Sequence, residues 1–111
     1  MSSARLTQLL SFYQDAPNDP FILFALAKEY EGLGQQDLAL QHYLELKEKQ
    51  ADYVGLYYHL GKLYEALQQE KTAWATYSEG MKVAREKGDQ HALSELAGAR
   101  LNLGDEDDFE E

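Results

Sequence analysis

The sequence contains an internal repeat of 34 residues, and this repeat restricts the folds open to the chain more than any other feature. When residues 54–87 are shifted back by 34 positions, nine of them match identical residues in the segment 20–53. Average residue frequencies predict roughly two such matches by chance. A period of this length indicates one supersecondary unit that is copied along the chain. The matched residues of the second copy are Leu60, Lys62, Tyr64, Glu65, Leu67, Gln69, Ala73, Tyr77 and Glu79.

Apolar residues recur at helical spacing throughout the chain. In the first copy, for example, Leu23, Leu26, Ala27 and Tyr30 follow an i, i+3, i+4, i+7 pattern. We find no sustained alternation of apolar and polar residues and no hairpin dipeptide between β-branched runs. The sequence therefore predicts an all-α protein. The predicted helical segments are 3–14, 20–33, 36–49, 53–67, 70–87 and 89–103.

Small and large residues alternate at equivalent places in the two copies. Ala27 and Gly61 lie where the two helices of a hairpin must approach closely, and Ala39 and Ala73 lie at the matching place on the partner helix. Large and small residues that face each other interlock better than uniform leucines would. The side chains expected to fill the space beside them are those of Tyr30, Tyr43, Tyr64 and Tyr77.

This pattern resembles the tetratricopeptide repeat. Each copy carries a leucine, a small residue and a tyrosine three positions later, followed by an alanine and a tyrosine four positions after it. The resemblance implies antiparallel helix hairpins stacked as a short right-handed α-solenoid of about five helices. It also implies one repeat domain over residues 1–103. Its expected parts are a leading half-repeat helix (3–14), a first repeat (20–53), a second repeat (54–87) and a closing helix (89–103) with Leu93, Leu96, Ala97 and Leu101 inward.

Composition and charge limit the cellular compartments and the classes of partner that we expect. The chain has no cysteine, which excludes disulfides and thiolate metal sites, and no apolar stretch approaches the length of a membrane span. The N-terminus does not resemble a secretory signal, so we expect a cytoplasmic protein with no membrane partner. The net charge is −10, and no basic stripe is present. Nucleic acid is therefore not an expected partner.

The last eight residues, 104–111, carry six carboxylates and one aromatic residue, Phe109. Runs of like charge are usually solvated, so we expect an acidic disordered tail. Two alternatives remain open. Phe109 and its acidic neighbours could form a short linear motif for a partner, or the tail could fold into the groove of its own molecule or of a neighbouring one.

The first helix of each repeat lines a concave, peptide-binding groove in proteins that this chain resembles. The corresponding residues are Phe21, Phe24 and Lys28 in the first copy and Tyr58, His59 and Lys62 in the second. They suggest a peptide ligand that carries an apolar anchor and a carboxylate. The alternative interpretation is an ordinary solvated face in which Lys28 and Lys62 pair with Glu31 and Glu65.

Catalysis has little support in the sequence. His42 is predicted on a helix surface, His59 on the groove face and His91 at the start of the closing helix, and none has a neighbouring metal-ligand pattern. A phosphate-binding glycine loop is also lacking. We therefore predict a non-enzymatic protein-interaction adaptor with no catalytic residues, no metal and no cofactor.

A second function stays open beside the adaptor. The chain could be a self-assembling oligomerisation module, such as a homodimer. Its seam would be the closing helix or the outer face of the second repeat, where Trp74 and Met81 are predicted. Trp74 has a simpler interpretation as well, in which it packs between the second repeat and the closing helix.

Overall fold

A computed structural model describes residues 3–109, and its secondary structure is entirely helical over that range. The predicted count of about five helices is too low. Two repeats of two helices each, together with a leading and a closing helix, already make six, and a short seventh follows. The helices are α1 (Ala4–Asp15), α2 (Pro20–Gly32), α3 (Gln36–Lys49), α4 (Gly55–Ala66), α5 (Glu70–Lys87), α6 (Gln90–Leu103) and α7 (Glu106–Phe109).

The chain divides into two compact units. The first ends at Tyr53 and contains α1 to α3, and the second begins at Val54 and contains α4 to α7. This division coincides with the boundary predicted between the two 34-residue copies. The single repeat domain over residues 1–103 and its solenoid geometry stay predictions.

Three helices begin at a residue whose side chain caps them. Asp19 accepts a hydrogen bond from the backbone N–H of Phe21 (2.9 Å), and Pro20 occupies the first turn of α2. Ser3 Oγ caps α1 through the N–H of Leu6 (2.9 Å), and Asp89 caps α6 through the N–H of Ala92 (3.0 Å). These caps satisfy donors that the first turn of a helix leaves without an intrahelical partner.

The turn inside each hairpin has the same backbone conformation but a different residue. Gly34 has a φ of 78°, and Gln68, 34 positions later, has a φ of 63°. Among the described residues, Gln68 is the only non-glycine residue with a positive φ. The missing glycine of the second copy therefore leaves the turn intact, at the cost of a conformation that L-residues with a Cβ disfavour.

The core of each unit lies between the two helices of its hairpin. In the first unit Ala27, Ala39 and Tyr43 are fully buried. In the second unit Gly61 faces Tyr77 so closely that a Cβ at position 61 would lie 2.2 Å from Cε1 of the ring. Gly80 makes a second close approach, because a Cβ there would lie 2.4 Å from Cβ of Tyr57. The predicted alternation of small and large residues thus describes the packing.

Helix α6 packs on α5 through a narrower face than predicted. Leu96 is fully buried and Leu93 and Ala97 are half-buried, as an inward stripe requires. Leu101, however, is 73% exposed, and Ala99 is buried instead. The buried face of α6 therefore includes Ala99 and excludes Leu101.

The described part of the acidic tail is folded, which corrects the prediction of disorder for that part. Residues 106–109 form one helical turn, and the ring of Phe109 stacks on Trp74 with 5.6 Å between ring centroids. Asp105 Oδ1 accepts hydrogen bonds from the N–H groups of Asp107 (3.0 Å) and Asp108 (3.3 Å). These contacts outweigh the repulsion between carboxylates. Glu110 and Glu111 lie outside the described residues.

The positive φ of Gln68 generates the first prediction. Gln68→Gly should raise the free energy of unfolding by about 0.5–1 kcal/mol, because glycine adopts this conformation without steric cost. The reciprocal variant Gly34→Gln should lower it by a similar amount. Urea denaturation followed by circular dichroism measures both, and a Gln68→Gly variant less stable than the wild type would contradict the reasoning.

The close approach at Gly61 generates the second prediction. Gly61→Ala should lower the free energy of unfolding by about 1–3 kcal/mol, because the new methyl group overlaps the ring of Tyr77. Gly98→Ala is the matched control, since no atom lies within 4 Å of a Cβ at that position of α6. The control should be stabilised by about 0.5–1 kcal/mol, as expected for alanine in an exposed helix. Equal effects of the two substitutions on the urea midpoint would refute the packing argument.

Candidate functional site

The predicted site residues of the first copy lie on α2 but differ in their surroundings. Phe21 is 61% exposed. Phe24 is half-buried, and its ring lies 6.2 Å from the ring of Tyr43 and 5.6 Å from that of Tyr53, between centroids. Lys28 is exposed one turn further along. Phe24 thus contributes to the packing of the first unit, whereas Phe21 offers its ring to solvent.

A pocket of about 300 Å³ lies beside Phe21, between α1 and α2. Its apolar wall includes Phe12, which is 46% exposed, and its rim includes Arg5 and Asp19. Sequence reasoning missed Phe12, because the 34-residue shift aligns it with the buried Leu46. Phe12 could have been identified from its position off the apolar stripe of α1, on which Leu6 and Leu9 are buried.

The predicted site residues of the second copy lie together on α4. The rings of Tyr58 and His59 meet edge to face with 5.4 Å between centroids. Lys62 Nζ lies 5.6 Å from the centre of the Tyr58 ring and 3.8 Å from Oε2 of Glu65. The predicted ion pair therefore exists in this copy, in a half-exposed setting where such a pair contributes little to stability. The same lysine also faces an aromatic ring, an arrangement that the ring quadrupole favours.

Glu31 and Glu65, the acidic residues beside the site lysines, have a structural partner in each unit. Tyr43 donates a short hydrogen bond from its hydroxyl to Glu31, and Tyr77 donates one to Glu65. Burial, followed by these hydrogen bonds, raises the pKa of Tyr43 and Tyr77 far above the usual value of tyrosine. Both phenols therefore stay protonated and act as donors at neutral pH. The two glutamates are thus required by the hairpins themselves.

His42 is buried at 6% exposure, so its predicted position on a helix surface is wrong. Its ring stacks on Tyr30 (5.5 Å between centroids, 3° between planes) and meets the edge of Tyr13. Its Nδ1 lies 3.2 Å from Oε1 of Glu45. This buried site tolerates a polar ring because two aromatic rings and a carboxylate surround it.

Glu45 connects three side chains of the first unit. It accepts hydrogen bonds from the Tyr13 hydroxyl (2.9 Å) and from Lys49 Nζ (2.8 Å), in addition to its contact with His42. Burial raises the pKa of Glu45, but the hydrogen bonds from Lys49 and Tyr13, with the charge of Lys49, together lower it below its usual value. Glu45 is therefore ionised at neutral pH and links α1 to α3.

Neither a metal-binding cluster nor a membrane-spanning helix is found in the part of the chain that the structure describes. Within residues 3–109, no group of three or more His, Cys, Asp or Glu side chains is arranged to hold a metal ion. None of the helices described there has the length and apolar character needed to cross a membrane. The predicted site residues do include one aromatic ring beside a lysine, that of Tyr58 beside Lys62 on α4.

Comparisons with known proteins identify the class as a helical repeat protein. No family model matches the chain, and no curated protein sequence matches it. Several solved structures, however, do match the chain. The crystal structure of a tetratricopeptide repeat domain protein from Salinibacter ruber is 49% identical, with a TM-score of 0.73 over 77% of this chain and 94% of the other. The chain belongs to the tetratricopeptide repeat family.

Two further structures agree on the fold. A solution NMR structure of a tetratricopeptide repeat domain protein from Salinibacter ruber is 49% identical, with a TM-score of 0.76 over 78% of this chain and 88% of that one. The type III secretion translocator chaperone SycD of Yersinia enterocolitica is 11% identical, with a TM-score of 0.80 over 88% of this chain and 68% of its own. At that identity the second likeness concerns the fold alone.

The lowered pKa of Glu45 generates a prediction about pH. Glu45→Gln should lower the free energy of unfolding at pH 7 by about 1–2 kcal/mol, because it removes charge-assisted hydrogen bonds. A carboxylate whose pKa is lower in the folded state stabilises the fold above its usual pKa of about 4.3, and this contribution disappears as the pH falls through the folded value. The difference between wild type and Glu45→Gln should therefore shrink between about pH 4.5 and pH 3.

The control for this prediction is Glu48→Gln, which removes an exposed carboxylate from the same helix. It should change the free energy of unfolding by less than about 0.5 kcal/mol at either pH. Urea denaturation at several pH values measures both variants. A Glu45→Gln effect that is constant down to pH 3 would show that the carboxylate charge is not the source of the stabilisation.

Proposed function

We propose that this chain is a non-catalytic protein-interaction module that binds a peptide segment of a partner through the first helices of its repeats, α2 and α4. The observation that carries the proposal is the repetition of an aromatic residue four positions before a lysine, at equivalent places in both copies. Phe24 precedes Lys28, and Tyr58 precedes Lys62. Membership of the tetratricopeptide repeat family supports a protein-binding role, because helical repeats present extended surfaces to their partners.

The surroundings of these residues favour binding over a purely structural role. The hairpins use Glu31 and Glu65 as acceptors for buried tyrosines, but the ammonium groups of Lys28 and Lys62 are on exposed side chains. Replacing a half-exposed ion pair such as Lys62–Glu65 by a ligand carboxylate costs little. Lys62 also faces the ring of Tyr58, and Lys28 follows Phe24 by four positions on the same helix, so an aromatic ring that can hold an apolar group accompanies each lysine. We expect a ligand with an apolar anchor beside a carboxylate.

Phe21 extends this surface in the first unit. Its exposed ring lines the pocket between α1 and α2, together with Phe12 and Arg5. A pocket of about 300 Å³ with an apolar wall, lined also by the cation of Arg5 and the carboxylate of Asp19, suits an aromatic or branched side chain of a peptide. SycD is named a translocator chaperone, so its name describes a protein that acts on another protein. Its likeness to this chain concerns the fold alone.

Self-assembly remains the second candidate function, on the strength of one observation. Leu101 of α6 is 73% exposed, so an apolar side chain on the closing helix is open to a second copy. Met81, in contrast, is 5% exposed and so does not form the predicted seam. Light scattering coupled to size-exclusion chromatography separates the two functions, because an adaptor elutes at the mass of one chain and a self-assembling module at a multiple of it.

The proposal predicts the effect of reversing two charges. Peptides selected on the wild-type protein from a displayed peptide library should lose affinity for Lys28→Glu/Lys62→Glu, by about tenfold for each lysine that contacts a carboxylate. Fluorescence anisotropy of the labelled peptides measures this, with the single variants included so that a double-mutant cycle reports whether both lysines act on one ligand.

The matched control is Lys71→Glu/Lys82→Glu, which changes the net charge equally but lies on α5. It should bind the selected peptides as the wild type does. Circular dichroism of all variants establishes that they remain folded. Selected peptides that bind the Lys28→Glu/Lys62→Glu variant and the control with equal affinity would place the binding surface elsewhere and refute the proposal.

A further inference from the structure

A cluster around Trp74 holds the acidic tail against the second unit. The indole of Trp74, on α5, stacks on the ring of Phe109 at 5.6 Å and 25° between planes. Its Nε1 donates a hydrogen bond to the backbone carbonyl of Gly104 (3.2 Å). From α6, the guanidinium carbon of Arg100 lies 4.8 Å from the centre of the indole. The indole of Trp74 is thus contacted both by a cation and by the tail.

The tail is shaped to present Phe109 to this cluster. Asp105 Oδ1 caps the turn through the N–H groups of Asp107 and Asp108, and Asp108 Oδ2 accepts a hydrogen bond from the N–H of Asp105 (2.9 Å). Gly104 is required by the contact, because a Cβ there would lie 2.6 Å from Cε2 of Phe109. These reciprocal hydrogen bonds form a capping arrangement that fixes a single turn.

The tail covers only part of the surface on which it lies. A cleft of about 280 Å³ remains between Trp74, Arg100 and Leu101 and the segment 104–106. Leu101, at its edge, is largely exposed. A single helical turn is also marginally stable by itself. A segment longer than the tail, with the same chemistry, could therefore make every contact of the tail and cover Leu101 in addition.

We infer that Trp74, Arg100 and Leu101 form a recognition site for a partner-protein segment in which an aromatic residue stands among carboxylates, and that residues 104–109 are its tethered competitor. The chemistry follows from the occupant that is present, since Phe109 follows four consecutive acidic residues. Arg100 supplies the complementary charge in a chain whose net charge is −10. The site lies on α5 and α6, so it does not depend on the function proposed for α2 and α4.

The tether has a quantitative consequence. A segment joined to its site by a short linker acts at an effective concentration in the millimolar range. The same segment supplied as a free peptide must exceed that concentration to displace it. Removing the ring of Phe109 should therefore lower the peptide concentration needed for half-saturation by tenfold or more.

The experiment uses the intrinsic fluorescence of Trp74, the only tryptophan of the chain. The probe is a synthetic peptide with the sequence of residues 104–111, and a second peptide with alanine in place of its phenylalanine is the control ligand. The proteins are the wild-type chain, Phe109→Ala, and Leu10→Ala, which removes an exposed apolar side chain outside the cluster and outside the pocket beside Phe21. We expect the probe to change the emission of Phe109→Ala at a concentration at least tenfold lower than for the other two proteins.

Two further arms test the chemistry of the site. Arg100→Ala in the Phe109→Ala background should weaken binding of the probe several-fold, and a probe with lysines in place of its acidic residues should not bind at concentrations that saturate with the original. Gly104→Ala is a second way to open the site, because it keeps Phe109 but displaces its ring. It takes the place of Phe109→Ala in the experiment if circular dichroism shows that Phe109→Ala is unfolded.

Three results would overturn the inference. The first is equal binding of the probe to the wild type and to the variants that open the site. The second is equal binding of the alanine-containing control peptide. The third is a wild-type dimer, detected by light scattering, that dissociates in Phe109→Ala, because the site would then belong to the tail of a second copy and not to a partner protein.

Discussion

The structure depends on the insertion of one tyrosine between the helices of each hairpin. In the second unit the ring of Tyr77 occupies space that only a glycine at position 61 leaves open. Its hydroxyl reaches Glu65 on the opposite helix, and Tyr43 makes the same hydrogen bond to Glu31 in the first unit. Close packing and a buried, charge-assisted hydrogen bond thus fix the register of the two helices together. The tyrosine and the glutamate that meet these demands are identical in the two copies, whereas Gly61 stands where the first copy has Ala27.

The tyrosine–glutamate contact distinguishes residues that repeat because the hairpin needs them from residues that repeat for another reason. Glu31 and Glu65 repeat because a buried phenol needs an acceptor, so their identity in both copies carries no information about a ligand. Lys28 and Lys62, one turn before these glutamates, are exposed on α2 and α4, and Phe24 contributes part of its ring to packing. A repeated residue on an exposed helix face is a better candidate for binding than a repeated acceptor of a tyrosine hydroxyl, and this favours the lysines over their acidic neighbours.

The hairpins were predictable from sequence because their determinants are local or periodic. Caps such as Asp19, the small residues and the tyrosines follow from spacing alone. The burial of His42 was not predictable in this way, since it depends on Tyr13, Tyr30 and Glu45, which lie on three different helices. The repeat shift did contain a hint, because position 76 in the second copy is also buried and polar. Two polar residues at equivalent positions suggest a surface until their partners are known.

The tail shows why composition can mislead about order. Its carboxylates repel one another, and an average over eight residues predicts a solvated chain. One aromatic contact with Trp74 and the hydrogen bonds around Asp105 oppose this repulsion, and neither is visible in an average. Because a single helical turn is marginally stable by itself, the position of the folded tail is open to competition. Phe109 is not among the buried residues of the second unit, so the fold does not rely on its burial. The tail is therefore better suited to be a replaceable occupant of a site than a support of the fold.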